Sequence, residues 1–485
     1  MFNLNKFPLI AAIIFSVISA VVFSAAISDE TRFIDPDSND YLLLADSIAA
    51  GEGYYHSGEP EIFRAPGYPF FLAPFRYFFP DSVKPVIIFQ ILLGAGSMLL
   101  LWKLAILVSD SVKIANLAVI IQFFSIVSYV FVNKVLSETL FTFLFLLFLL
   151  LLENAIRIFP RSSQNKEADY AKFAAYAAGA GVTGAVTAFV RAIFLPLFPV
   201  IIVYILIRCI LRSSQQGDIS SDTDKESSTH SGMRPLLKNR YIYLFILLLS
   251  LPFMIVIGGW TLRNIKTANY AGFSSVGTIN IYRYYACLLM AHQKNISFDE
   301  QQKICDAHLA LCGNQKEQSE YALEHGLPVI KSAPFNYLLL HLKTDINTFL
   351  PGIGDLYALL GAKIGGGGTL AVIHSKGIIA GVKHYFQGHW ALFFLALPLA
   401  AILLIKYILS AFGILITIYK RKPYLTTYLF FLLIILYMTT VPGAVSHPRF
   451  RVPIEPLLAI LAASALTWKS IEKQKNTIDT TAQKA

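Results

Sequence analysis

Long runs of apolar residues alternate with polar links along most of the 485-residue chain. The runs are rich in Leu, Ile and Phe and lack period-two alternation, which favours membrane-spanning helices over barrel strands. One crossing needs roughly 20 residues, and most of the runs have about that length. The pattern predicts about ten spans, at residues 7–27, 86–107, 114–132, 137–156, two within 173–211, 241–260, 390–418, 424–442 and 452–468.

The composition agrees with a membrane location. The chain is 55% hydrophobic and only 14% charged, and its mean hydropathy is +0.58. A soluble protein could not cover its surface with so few charges. The net charge of +10 lies mostly in links between the runs, which is typical of cytoplasmic loops and argues against nucleic acid as a partner. We therefore predict an all-α polytopic membrane protein with both termini in the cytoplasm.

Two segments outside the spans divide the chain. Residues 28–84 form a first outer loop, with a short helix at Tyr41–Ala50 and a turn at Arg64–Pro69. Residues 261–388 form a larger outer segment, with a flexible break at 365–368, and residues 212–240 are predicted to be a disordered inner loop. The predicted units are therefore 1–260, 261–388 and 389–485, the last with a cytoplasmic tail.

Charged residues collect at the predicted outer ends of the spans, where they are costly unless they are used. Arginine binds phosphate bidentately and stays charged in a low dielectric. A carboxylate can take the proton that an acceptor hydroxyl or amine must lose. The combination suits transfer from a phosphate-linked donor. The residues are Asp35, Asp37, Asp40, Arg64, Glu138, Arg191, Arg263, Arg283, His447, Arg449 and Arg451.

Most of these residues also have a structural interpretation. Asp37 could simply cap the following helix. Asp35 and Asp37 have the spacing of a possible divalent metal site, but such pairs are common in loops. Arg64 could anchor at lipid headgroups, and Glu138 could cap the fourth span. Arg191 is flanked by apolar residues and is a functional candidate by default.

The four cysteines show no metal-binding spacing. Cys305 and Cys312 could pair if the outer segment faces an oxidising compartment, and free thiols are the alternative. Cys209 lies in an apolar run, and Cys287 would remain unpaired.

Five pieces of the chain occur in the order of a known family. They are Asp37-Ser38-Asn39-Asp40-Tyr41, Arg64-Ala65-Pro66-Gly67-Tyr68-Pro69, Leu136-Ser137-Glu138-Thr139-Leu140, Trp260-Thr261-Leu262-Arg263-Asn264 and His447 to Pro456. Together they resemble motifs of the GT-C superfamily of polyprenyl-phosphate-sugar-dependent glycosyltransferases. The nearest likeness is to bacterial members related to the protein O-mannosyltransferases and the lipid A aminoarabinose transferase.

The resemblance implies a GT-C-like fold and an inverting transferase that uses an undecaprenyl-phosphate-like sugar donor. It implies an active site at the periplasmic face of the bacterial inner membrane, among membrane lipids. Asp37 would be the catalytic aspartate, and Glu138 would orient an arginine or a sugar hydroxyl. The candidate substrate-binding residues are Asp35, Asp40, Tyr41, Arg64, Tyr68, Arg191, Arg263, Arg449 and Arg451.

The resemblance leaves two features open. The related enzymes have Asp-Glu where this chain has Asp37-Ser38, so the acceptor could be a lipid, a protein or a glycan. Metal dependence varies within the superfamily and does not carry over, so a divalent metal at Asp35 and Asp37 stays a possibility only.

Two other functions are compatible with the pattern. A transporter or flippase of a lipid-linked sugar would place charged or broken-helix sites near mid-membrane, often in related pairs. A GT-C-like glycan polymerase or ligase would join whole glycans instead of single sugars.

Overall fold

The computed structural model describes residues 6–160, 167–217, 240–362, 364–365, 369, 372 and 376–482. Within these residues the chain is almost entirely helical, with one small hairpin in which Tyr55–His56 pairs antiparallel with Glu59–Pro60. We number the longer helices α1 Phe7–Ala26, α2 Pro36–Ala49, α3 Gly67–Phe78, α4 Lys84–Ser109, α5 Val112–Phe123, α6 Ile126–Val132, α7 Glu138–Arg157, α8 Glu167–Val190, α9 Leu197–Gly217, α10 Arg240–Ala268, α11 Val276–Asn280, α12 Cys287–Lys294, α13 Phe298–Ala310, α14 Gln315–Ser332, α15 Pro334–Asp345, α16 Ile353–Leu359, α17 Ile378–Tyr385, α18 Trp390–Tyr419, α19 Leu425–Thr440 and α20 Glu455–Ala482. Tighter or wider helical turns lie at Glu30–Phe33, Ala192–Phe194, Ile281–Ala286, Ile346–Phe349, Gly443–Val445 and Pro448–Ile454.

The chain is a multi-pass membrane protein. In the described part of the chain, eight helical stretches are long and apolar enough to cross a membrane: α1, α4, α7, α8, α9, α10, α18 and Pro448–Trp468. Helices α5 and α6 form one further candidate, bent by 64°. Helix α19 is apolar and shorter, with 16 residues. Each of the ten predicted spans therefore has a helical counterpart, and the predicted all-α polytopic fold is confirmed.

Individual residues explain the course of the chain in two of the predicted regions. Arg191 has an extended backbone, with φ −142° and ψ 118°, so α8 ends at Val190 and the chain turns before α9. This confirms two helices within residues 173–211. Helix α18 continues through Lys406 without a break, because the ammonium group pairs with the Glu455 carboxylate inside the bundle.

One end of the bundle, which we call the covered end, carries residues 28–83 and the described residues of the outer segment between residues 269 and 389. Here α2 begins at Pro36, earlier than the predicted Tyr41, since proline is favoured in a first helical turn. The predicted turn at Arg64–Pro69 already becomes helix α3 at Gly67. A Cβ at Gly67 would lie 2.7 Å from the Phe189 backbone, so glycine lets α3 pack closely against α8.

The outer segment is a small helical unit with its own apolar core, in which Cys287 and Cys305 are buried together. Cys287, Cys305 and Cys312 have free thiols, so Cys305 is not paired with Cys312. Helix α10 continues past the predicted boundary at residue 261. The predicted inner loop at 212–240 and the predicted break at 365–368 fall largely outside the described residues, although α9 extends to Gly217.

Candidate active site

Asp37 lies in the first turn of α2 and is held between two arginines. Its Oδ1 accepts a hydrogen bond from Nη2 of Arg64 at 2.8 Å, and its Oδ2 lies 2.7 Å from Nη1 of Arg449. Burial alone would raise the pKa of this carboxyl, but the charges of Arg449 and Arg64 outweigh it and hold the pKa at about 2. The N-cap of α2 is Asp35, so Asp37 is not the cap that the structural interpretation expected.

Arg64 joins the first loop to the site. Its Nε and Nη2 donate to Oδ2 of Asp40 at 3.0 and 2.7 Å. The guanidinium lies 5.3 Å from the centre of the Tyr41 ring and 5.0 Å from that of Phe63. Two carboxylates and two rings therefore fix this cation at the wall of the site.

The turn that carries Arg64, residues Glu61–Arg64, is held by the outer segment. Oε1 of Glu61 accepts from the N–H groups of Phe63 and Arg64 at 2.6 and 2.7 Å. Gln315 donates to Oε2 of Glu61 at 2.7 Å and accepts from the N–H groups of Ile62 and Phe63 at 2.8 and 3.0 Å. The position of Arg64 thus depends on a residue more than 200 positions further along the chain.

Glu138 connects two further arginines to the site. This carboxylate is 2% exposed, and its Oε1 lies 2.6 Å from Nη1 of Arg191 and 3.9 Å from Nε of Arg449. Both guanidinium groups face the ring of Phe450, at 5.6 and 5.1 Å. Residues from α2, α7, the end of α8 and the start of the last span therefore converge at one place.

A second group of charges lies beside Asp37 and was not predicted as a group. Nζ of Lys134 lies 3.0 Å from Oδ1 of Asp35, and Nε2 of His447 lies 3.6 Å from Oδ1 of Asp355. Burial raises the pKa of Asp355, and burial lowers the pKa of His447. The sequence places His447 among the charged residues at the outer ends of the spans, but not among the predicted substrate-binding residues. Nothing in the sequence around Asp355 distinguishes it.

Three predicted substrate-binding residues lie away from this cluster. Tyr68 is buried and donates to Gln90 at 2.8 Å, although its ring packs edge-on against Tyr41. Arg263 binds the carbonyl groups of Glu61 and Tyr54 at 2.8 and 2.6 Å. Arg451 is buried and binds Glu455, Thr348 and Leu350.

A cavity of about 580 Å³ opens beside Asp37, and we call it the first cavity. Its charged wall is formed by Asp37, Asp40, Arg64, Arg191, Arg283 and Arg449. Its apolar wall is formed by Val190, Ile193, Pro196, Val441, Val445 and Phe450, at the ends of α8, α9 and α19 and the start of the last span. The cavity thus offers cations on one side and an apolar surface on the other.

The depth of the site follows from helix lengths. Lys420 contacts the Trp468 ring at the end opposite the covered end. At 1.5 Å per residue, the paired Lys406 and Glu455 lie about 20 Å from that contact. In a hydrocarbon core of about 30 Å, Arg449, about 10 Å beyond Glu455, lies near the headgroups of the covered end.

The possible metal site at Asp35 and Asp37 does not fit the observed contacts. Each carboxylate is already neutralised by cations, Asp35 by Lys134 and Asp37 by Arg64 and Arg449. A divalent ion needs several free oxygen ligands. Across the described residues, no group of three or more His, Cys, Asp or Glu side chains is arranged to hold a metal ion.

No family model and no curated protein matches the chain. Similar solved structures include the archaeal oligosaccharyltransferase AglB from Archaeoglobus fulgidus with an inhibitory peptide and a dolichol-phosphate, at 14% identity and a TM-score of 0.44, covering 99% of this chain and 52% of that one. An Archaeoglobus fulgidus oligosaccharyltransferase tethered to an acceptor peptide matches at 12% identity and a TM-score of 0.45, with 96% and 50% covered. The chain therefore spans about half of each structure, and a likeness this distant assigns no function to it.

Proposed function

We propose that this protein is an integral membrane glycosyltransferase that moves a sugar from a polyprenyl-phosphate donor to an acceptor, with inversion at the anomeric carbon. One observation carries the proposal: Asp37 is held by two arginines at the charged wall of a cavity whose other wall is apolar. Such a cavity suits a ligand with a phosphate-sugar head and a lipid chain. The depth of the site near the lipid headgroups and the five GT-C-like sequence pieces support the same function.

The arginines bind the donor phosphate in this proposal. Arg64, Arg191 and Arg449 all line the first cavity, and guanidinium groups bind phosphate oxygens bidentately. The polyprenyl phosphate leaves as an anion, so fixed positive charge stabilises the transition state more than a proton would. Glu138 orients Arg191 and Arg449, since it lies between them.

Asp37 acts as the general base for the acceptor. With a pKa of about 2 it is a weak base while both arginines are bound to it. A donor phosphate that draws Arg449 and Arg64 towards itself also releases Asp37, and the basicity of Asp37 then rises. The acceptor oxygen attacks the anomeric carbon, the bond to phosphate breaks, and Asp37 takes the acceptor proton.

The remaining predicted residues take supporting roles. Asp40 and Tyr41 line the first cavity and contact the sugar in this proposal, whereas Asp35, which pairs with Lys134, supports the start of α2. Tyr68, Arg263 and Arg451 act from behind the site, because their polar groups are bound to other parts of the protein.

The covered end faces the periplasm of a bacterial cell in this proposal. The links at the opposite end are rich in Lys and Arg, as in the run Lys420-Arg421-Lys422, and such links stay in the cytoplasm. The donor is then an undecaprenyl-phosphate-linked hexose or pentose of the inner membrane.

Transfer from synthetic radiolabelled undecaprenyl-phosphate sugars tests the proposal, with purified protein in nanodiscs and membranes of its host as the acceptor source. Asp37→Asn should reduce transfer by about 10²–10⁴-fold, the usual worth of a general base, while the protein stays folded. Asp46→Asn is the matched control, because Asp46 lies on the same helix and pairs with Arg76.

Near-normal transfer by Asp37→Asn would remove Asp37 from the base role. If the protein binds a donor but transfers sugar from none of the donors tested, the result would favour a flippase, or a polymerase that handles larger glycans.

A further inference from the structure

A second cavity of about 280 Å³ lies next to the first, between the first loop and the outer segment. The two cavities share Asp40, Phe63, Arg64 and Arg283, so these side chains form a common wall. The far side of the second cavity is built by α13 and α14, with Asp306, Leu309, Gln315 and Gln318. The second cavity therefore reaches the site from the side opposite the apolar membrane wall.

A third cavity of about 680 Å³ lies next to the second. The two share His56, Gln315 and Gln318, and the third is also lined by the exposed residues Lys266 and Asn314. The three cavities thus form a series from the membrane helices to the outer surface. An extended ligand that enters at the third cavity can place its end at the Asp40–Arg64 wall.

The lining of the second cavity differs from that of the first. It contains three carboxylates, two amides and one imidazole besides the two arginines that it shares with the first cavity, and its apolar parts are the Phe63 ring and a few aliphatic groups from α11 and α13. It has no wall made of membrane-spanning helix ends. Hydrogen-bond donors and acceptors arranged around one aromatic ring suit a ligand that is rich in hydroxyl groups.

The backbone beside the second cavity is already hydrogen-bonded. The N–H groups of Ile62, Phe63 and Arg64 are taken by the side chains of Glu61 and Gln315. A peptide that binds by adding a strand needs a free row of such groups, and the Glu61–Arg64 turn offers none. The cavity is also lined by the side chains of Asp40, which pairs with Arg64, of Asp306, which pairs with Arg283, and of Gln318.

We infer that the second and third cavities bind the acceptor and that the acceptor is a hydroxyl-rich glycan chain. The inference rests on the proposed transferase function. The terminal sugar of the chain occupies the second cavity, and the following sugars lie along the third. One terminal hydroxyl passes the Asp40–Arg64 wall, and its oxygen bonds to the donor's anomeric carbon as polyprenyl phosphate leaves and Asp37 takes the proton.

A plug placed in the second cavity tests this site in full-length protein in nanodiscs. Cys312 is changed to Ser, because it is partly exposed while the other three cysteines are buried. Gln318→Cys in this background is then reacted with a bulky maleimide. Glu320→Cys is the matched control, since Glu320 is on the same helix with a 63% exposed side chain.

Two probes are measured: a radiolabelled undecaprenyl-phosphate sugar, and glycan fragments released from the host envelope by mild acid. Labelled Gln318→Cys should bind the donor normally, lose binding of the glycan fragments in saturation-transfer NMR, and lose transfer to them by about tenfold or more. Labelled Glu320→Cys should match the unlabelled protein. Without any label, Gln318→Ala should raise the KM for the glycan by about 2- to 10-fold and leave the donor KM unchanged.

Unchanged glycan binding in labelled Gln318→Cys would overturn the acceptor site. Transfer to a Ser/Thr peptide or to a lipid, with none to glycan fragments, would overturn the acceptor class. The proposed function can fail separately from this site. Unlabelled protein that neither binds the donor nor transfers sugar would contradict the transferase. Glycan binding that is abolished by the label at Gln318→Cys would still establish the second cavity as a glycan site.

Discussion

Two clusters of charged residues lie about 10 Å apart along the last span, and they are built differently. In the site cluster, Asp37, Glu138 and Arg449 line or adjoin a cavity, and within the described residues Oε2 of Glu138 has no hydrogen-bond partner. In the deeper cluster, Glu455 is bound by Lys406 and Arg451 and none of the three lines a cavity of the covered end. The first cluster can exchange partners with a ligand, while the second is closed.

The difference shows that charge inside a membrane protein does not by itself mark a reaction site. The deeper cluster has a mechanical role: Arg451 holds the carbonyl groups of Thr348 and Leu350 at 2.7 Å each, and Ser125 at the α5–α6 bend donates to Glu455. Together with Lys406 on α18, it therefore links four separate parts of the chain. A mid-membrane charge of this kind, bound on every side by protein, gives no support to a transport path.

The largest expected effect is a loss of stability on substitution in the deeper cluster. Glu455→Leu leaves Lys406 and Arg451 buried without their anion, so the protein should lose about 3–5 kcal/mol of stability. Thermal unfolding in detergent measures this as a midpoint several degrees lower. Lys406→Met is the control, because Glu455 then keeps Arg451 and the loss should be smaller. Equal midpoints for Glu455→Leu and wild type would mean that the cluster is not closed.

The next largest effect is a loss of catalysis, without a comparable loss of stability, on substitution in the site cluster. Arg449→Met should reduce kcat/KM by about 10²–10³-fold, or about 2.7–4 kcal/mol, the usual loss for one fixed charge or donor at a developing anion. Arg449→Lys should recover only part, because an ammonium cannot reproduce the bidentate contact. Steady-state transfer at varied donor concentration gives the values. A stability loss that accounts for the whole activity loss would make Arg449 structural.

The smallest expected effect is that of pH on the free enzyme. The pKa of Asp37 is lowered to about 2, below the ordinary value near 3.9, so its paired form is complete above about pH 4 and is lost as the pH falls towards 2. The kcat/KM for donor should therefore stay level from pH 5 to 8. At saturating donor, kcat should fall at a higher pH than kcat/KM does, since the donor draws the arginines away from Asp37.

The pH profiles of kcat/KM and of kcat for transfer test this assignment of the titrating group to Asp37. An acid limb near pH 6 in kcat/KM would assign the titrating group elsewhere. Asp355 is the first candidate because burial raises its pKa, and Asp355→Asn would then remove the limb.

The spans and the first-loop motif could be predicted from sequence because they are local. The length of an apolar run places a helix across the bilayer, and the polar residues that flank the run then lie near the bilayer surface. Asp37, Arg64, Glu138 and Arg449 could therefore be placed at one end. Run length does not fix the rotation of a helix about its axis.

Rotation explains which predicted residues lie outside the site. Arg449 and Arg451 are two positions apart in the same tight helical stretch, yet only Arg449 faces the first cavity. Arg263 lies at the predicted depth but points to the back of the Glu61–Arg64 turn. The partners Gln315 and Asp355 were beyond prediction, because each contact joins parts of the chain separated by more than 90 residues.

The hydrogen bonds between Gln315 and the Glu61–Arg64 turn also determine when the site can form during synthesis. The first loop leaves the ribosome long before α10 and α14 exist, so its Arg64 cannot be fixed when α1 to α4 insert. Contacts between such distant parts of a chain form late in folding. The protein thus enters the membrane with an unfinished site, and Arg64 reaches its final position only after the outer segment has folded.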